Sequence, residues 1–174
     1  MKLNNKRTIL VGLAFLSICA FWQMYDSVVP LILTKTFHMN ETFSGAIMAA
    51  DNILALFLLP FFGSLSDRTS TKIGKRMPFI LFGTGCAVIL MNILPLLDNS
   101  YAAAPSTLKT VSFVIVLGLL LIAMGTYRSP AVALMPDVTP KPLRSRGNAI
   151  INLMGAVGGI LYLGVAAVLY PNSK

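Results

Sequence analysis

Three ionisable residues interrupt otherwise apolar sequence: Asp26, Asp51 and Arg128. In a bilayer each costs at least about 2.5–3.5 kcal/mol on insertion scales, so such groups usually face a bundle interior or a water-filled cavity. Asp26 and Asp51 stand at similar distances from the ends of their apolar runs, which puts both roughly 12 Å deep at the helical rise. Two carboxylates at one depth can share and exchange a proton. Arg128 falls about 13 Å below them by the same measure. A guanidinium offers several fixed donors, which suits a carboxylate or the hydroxyls of a sugar. Gln23 lies one turn from Asp26, and Tyr127 adjoins Arg128. Gln23, Asp26, Tyr127 and Arg128 are therefore candidate substrate-binding residues, and Asp26 and Asp51 are candidate proton carriers. The plainer reading is that these groups hydrogen-bond their neighbours and fix packing.

The elements that position these groups follow from composition. Of 174 residues, 56% are hydrophobic and only 11% charged. A soluble domain carries about 25% charged residues, so this chain cannot build a water-facing surface. Soluble enzyme, disulfide scaffold and disordered tail are excluded, and an integral membrane protein is left. Cys19 and Cys86 lie in apolar runs, and His38 is the one histidine. HExxH, GxSxG and Walker-type patterns are absent, so we expect no metal, no cofactor and no enzyme.

Apolar segments run roughly over 8–33, 43–63, 78–97, 111–135 and 148–170. Each is long enough to cross a hydrocarbon core of about 30 Å as a helix. The expected fold class is all-α membrane, with five transmembrane helices. Asp98, Asn99 and Ser100 read as a loop between the third and fourth spans, and Pro136, Pro140 and Pro142 as breaks after the fourth. Gly155 and Gly159 form a small-xxx-small pair that permits close helix approach.

The net charge of +8 suggests nucleic acid, but the positions of the charges do not. Lys2, Lys6, Arg7, Arg68, Lys72, Lys75, Arg76, Lys141, Arg144 and Arg146 all fall on one side of a five-span arrangement. Lys35, Lys109 and Lys174 fall on the other. This bias places the N-terminus in the cytoplasm and the C-terminus outside, in a plasma or inner membrane.

One inter-helix stretch is distinctive. It reads Gly63-Ser-Leu-Ser-Asp67-Arg68, then Gly74-Lys75-Arg76-Met-Pro78-Phe-Ile. Its glycines permit tight turns, and Asp67 can cap a helix or pair with a basic residue. Arg68, Lys75 and Arg76 would lie near the anionic inner leaflet, at about 1 kcal/mol each. The stretch resembles the signature between helices two and three of the major facilitator superfamily, in the longer form found in sucrose/proton and glycoside–pentoside–hexuronide/cation symporters. A second stretch agrees: Pro130-Ala-Val-Ala-Leu-Met-Pro-Asp137, followed by Arg144-Ser-Arg146-Gly147-Asn148-Ala149.

The resemblance implies a proton-coupled sugar or glycoside symporter. Its partners would be a bilayer, a small-molecule substrate, a proton and no nucleic acid. It implies a conformational latch made by Gly63, Asp67, Arg68, Gly74, Lys75, Arg76 and Asp137. Ala55 and Leu59 stand near where melibiose-type relatives carry sodium-site carboxylates, which favours a proton over sodium. Arg128 lies one turn from Val132, where the sucrose symporters place a functional arginine. Members of the superfamily have two six-helix halves around a central site. Residues 1–174 then form an incomplete N-terminal domain that needs a C-terminal half. The alternative expectation is a transport-inactive five-helix scaffold that needs a partner.

Overall fold

The computed structural model describes residues 5–169; the side chains of Asn5, Arg7, Asp51 and Leu169 are outside the described set. Lys2 and Lys174 also lie outside it. The described residues form α1 (Asn5–Lys35), α2 (Glu41–Arg68), α3 (Met77–Ala103), α4 (Thr107–Val138) and α5 (Arg144–Leu169), with a short 3-10 turn at Lys141–Leu143. The described residues hold five candidate spans of 27 to 32 residues, each apolar enough to cross a membrane, the fifth starting at Lys141 in the 3-10 turn before α5. In hydrocarbon a helix satisfies its own backbone, which is why such runs take this form.

The helices outrun the apolar segments at most ends. Asp98, Asn99 and Ser100 are helical, and the α3–α4 connection is only residues 104–106. Asp67 and Arg68 form the last turn of α2, and Arg144 and Arg146 open α5. Pro136 does not end α4, which continues to Val138. Hydropathy marks where hydrocarbon stops, whereas a helix stops where a cap or turn makes it stop. Asn40 supplies such a cap, its side chain accepting from the Thr42 amide at 3.2 Å. At the end of α3 the Lys109 ammonium donates to the Ser100 and Ala104 carbonyls at 2.6 and 2.9 Å. That charge suits a helix C-terminus.

Packing divides the chain into two units. The first comprises residues up to Val28 together with those from Ala131 onward. Its apolar centre is Val11, Met135 and Ile151, with Phe15, Leu134 and Val138 against them. Here α5 meets α1 across small residues. A β-carbon at Gly155 would stand 2.9 Å from Cys19 Sγ, and one at Gly158 would strike the Leu16 backbone carbonyl. The close approach therefore uses Gly155 and Gly158. Gly159 is turned instead toward Gln23, whose Oε1 lies 3.7 Å from the place of its missing β-carbon.

The second unit runs from Val29 to Pro130. Five consecutive residues of α4, Ala123 to Tyr127, are buried, so every face of that turn is covered. A β-carbon at Gly83 of α3 would lie 2.9 Å from Tyr127 N and Cβ, and one at Gly125 would lie 3.3 Å from Leu58 Cβ of α2. At the end of this unit that holds Phe37, its ring stacks on Tyr101 at 4.2 Å and tilts against Phe113 at 4.6 Å. These rings tie the α1–α2 turn to α3 and α4.

Candidate functional site

The Gly63–Arg76 stretch folds back on itself. Arg76 is the N-cap residue of α3, yet its side chain is 9% exposed and turns toward α2. Its Nη2 lies 2.9 Å from Asp67 Oδ1, and its Nη1 donates to Ser66 Oγ at 3.3 Å. Ser66 is fully buried and donates in turn to the Gly63 carbonyl at 2.8 Å. Asp67, by contrast, is 61% exposed. Of the basic residues expected at a leaflet surface, Arg76 is the one that is sequestered, while Arg68 and Lys75 are exposed. A buried guanidinium must be paired and hydrogen-bonded, and this arrangement does both.

The connection itself is a fixed turn. Gly74 N donates to the Thr71 carbonyl at 3.0 Å, and Thr71 Oγ1 donates to the Gly74 carbonyl at 2.6 Å. Gly74 has φ +111°, a conformation that L side chains rarely adopt. The glycine is therefore required by backbone geometry.

Gly63 does a second thing. A β-carbon there would lie 2.8 Å from Ser129 Oγ, so α2 approaches α4 closely beside Arg128. Tyr127 is 2% exposed and packs on Gly83, while Arg128 is half-buried. The end of α2 that carries Ser66 and Asp67 and the α4 turn that carries Tyr127 and Arg128 thus approach each other at Gly63 and Ser129, within one unit.

In the other unit, Gln23 and Asp26 stand one turn apart on α1. Gln23 is half-buried beside Gly159, and Asp26 is exposed. Trp22 meets Tyr25 edge-on at 6.0 Å, and Tyr25 is fully buried. Asp137 is exposed near the end of α4. Asp51 lies on α2, and its side chain is outside the described residues. Among the described residues, no three His, Cys, Asp or Glu side chains come together as a metal-holding group.

Sequence reasoning missed Ser66, Ser129 and Tyr25. Ser66 had a signal in its place immediately before Asp67. A helical serine ordinarily bonds its own helix, however, and Ser66 does that as well. Ser129 had none, because the approach of Gly63 is a tertiary fact.

The sequence profile of the Major Facilitator Superfamily matches residues 11–173. Over 141 residues the chain is 33% identical to a sucrose transport protein of Arabidopsis thaliana, covering 73% of this chain and 23% of that protein. Over the same length it is 31% identical to a sucrose transport protein of Oryza sativa subsp. indica, covering 73% and 28%. It is 28% identical over 169 residues to the alpha-ketoglutarate permease of Escherichia coli (strain K12), covering 94% of this chain and 35% of the permease. The chain thus spans about a quarter of the length of the sucrose transport proteins it matches. No solved structure matches it.

Proposed function

Because the chain belongs to the major facilitator superfamily, a family of membrane transporters, we propose that it supplies the first five helices of a proton-coupled sugar or glycoside symporter. The observation that carries the sugar assignment is the similarity to sucrose transport proteins over 141 residues. In this reading the N-terminus is cytoplasmic, and a C-terminal half completes the substrate site.

Each candidate residue has a chemical task in this scheme. The Arg128 guanidinium, with Tyr127 beside it on α4, and the Gln23 amide on α1 each carry donors for sugar hydroxyls. Asp26 takes a proton when the site opens outward and releases it when the site opens inward, with Asp51 as the second acceptor. The proton and the sugar shift the outward–inward balance by binding one state more tightly than the other. Gly63, Asp67, Arg68, Gly74, Lys75, Arg76 and Asp137 hold the cytoplasmic ends together in one of the two states. Within that group the Asp67–Arg76 pair and its bond to Ser66 give the α2–α3 end a fixed shape.

The similarity to alpha-ketoglutarate permease, which extends over 94% of the chain, favours a second reading. There the Arg128 guanidinium pairs with a substrate carboxylate instead of hydroxyls, a geometry it suits equally well. Uptake of labelled sucrose and labelled 2-oxoglutarate by cells expressing the full gene that encodes this chain separates the two. Sucrose uptake that a protonophore abolishes supports symport of a sugar. Uptake of 2-oxoglutarate alone, lost in Arg128→Gln, supports the anion reading. Sucrose uptake indifferent to protonophore rejects the proton.

A further inference from the structure

We propose that the Thr71–Gly74 turn is a lipid anchor that binds anionic headgroups, with Ile73 as its apolar tip and Lys72, Lys75 and Arg68 as its charges. The turn's two central residues are Lys72 and Ile73. The hydrogen bonds between Thr71 and Gly74, with the positive φ of Gly74, fix the backbone so that both project outward. Ile73 is 66% exposed. An isolated apolar tip between cations on a water-facing loop gains nothing from that position, but at a membrane surface it enters the acyl boundary.

The charge around it is one-sided. Asp67 is the acidic residue of this stretch, and its carboxylate is held by the sequestered Arg76. Arg68, Lys72 and Lys75 are exposed and, among the described residues, meet no carboxylate. Glu41 lies at the opposite end of α2, about 40 Å away at 1.5 Å per residue. The long stems of Lys72 and Lys75 can follow Ile73 while their ammonium groups stay at the phosphates. Each surface lysine adds a similar increment of attraction to an anionic leaflet. Because Arg76 is spoken for, the lipid-binding set is Arg68, Lys72 and Lys75.

This inference needs the chain to span a membrane and does not need it to transport. Symmetric nanodiscs make its test independent of orientation. The purified chain carries an environment-sensitive fluorophore on Ser70→Cys, with Cys19→Ala and Cys86→Ala. It is placed in nanodiscs of phosphatidylcholine with and without phosphatidylglycerol. The expected result is blue-shifted emission and loss of iodide quenching when phosphatidylglycerol is present. Ile73→Ser should reverse most of that change, and so should Lys72→Gln with Lys75→Gln. On the unlabelled chain, native mass spectrometry should show phosphatidylglycerol retained over phosphatidylcholine. Retention should be about 30-fold weaker in the double lysine variant, the ratio that two surface lysines supply. Equal emission and quenching in the two lipids would overturn the assignment. So would displacement of the signal by inorganic phosphate but not by chloride at equal ionic strength, which would mark a free-phosphate site.

Discussion

Gly63 lies so close to Ser129 that a β-carbon at position 63 would stand 2.8 Å from the Ser129 hydroxyl. The Gly63 carbonyl also accepts from Ser66, which accepts from Arg76. One glycine therefore links the bracket at the end of α2 to the residue beside Arg128. Gly63→Ala should cost about 1–2 kcal/mol by overpacking. Adding Ser129→Ala removes the atom in the way, so the double variant should recover much of that loss. Thermal unfolding of the purified chain in detergent measures both, and strictly additive losses would mean that the two positions do not press on each other.

The two partners of the Arg76 ion pair should respond unequally to substitution. Asp67 is mostly exposed, so Asp67→Asn should cost at most about 1 kcal/mol after screening by water. Arg76 is sequestered and holds Ser66 as well. Arg76→Ala should cost about 2–3 kcal/mol, since it loses charge-assisted bonds and packing together. Arg76→Gln, which retains a donor for Ser66, should fall between them. Unfolding midpoints in one detergent rank the three, and a larger effect at Asp67 than at Arg76 would contradict the geometry.

Two glycines of α5 make a matched pair. Gly158→Ala drives its β-carbon into the Leu16 backbone carbonyl of α1, with Leu16 C and Cα also at 3.0 and 3.1 Å. Backbone cannot rotate away as a side chain can, so the cost should exceed about 2 kcal/mol. Gly164 has nothing within 4 Å of its missing β-carbon. Gly164→Ala should be neutral or stabilise the helix by about 0.5–1 kcal/mol. Melting curves of the two variants should move in opposite directions or differ widely, and equal shifts would place α5 wrongly against α1.

The parts of this fold that were legible in the sequence are those set by hydropathy. Apolar runs located all five helices, and the scarcity of charge located the membrane. Helix ends were not legible where polar residues continue a helix beyond hydrocarbon, as Asp98–Ser100 and Arg144 do. Pro136 misled because a proline within a long helix can be tolerated when its neighbours satisfy the freed groups. At the site, the Gly63–Arg76 motif gave the participants but not the pairing. Arg76 read as one more leaflet-facing cation, although it is the buried one. Gly155 was legible as a contact, but Gly158 was hidden behind Gly159, because helical phase decides which of two adjacent glycines faces α1.

The geometry around Gly83 carries a functional prediction. Its missing β-carbon is 2.9 Å from Tyr127 N, so Gly83→Val must displace α4 where Tyr127 and Arg128 sit. Under the proposed function, substrate uptake by cells expressing the gene should fall at least about 10-fold, since small misplacements of binding groups are expensive. Surface biotinylation alongside uptake separates this from loss of protein, and normal uptake per molecule would remove Tyr127 and Arg128 from the site.

In the proposed function a carboxylate on α1, Asp26, couples substrate movement to a proton. The most direct measurement is sucrose accumulation and sucrose exchange in parallel, in cells expressing the full gene with Asp26 or with Asp26→Asn. Asp26→Asn should abolish accumulation driven by a pH gradient while exchange down the sucrose gradient survives. Accumulation at the unsubstituted rate in Asp26→Asn would contradict it.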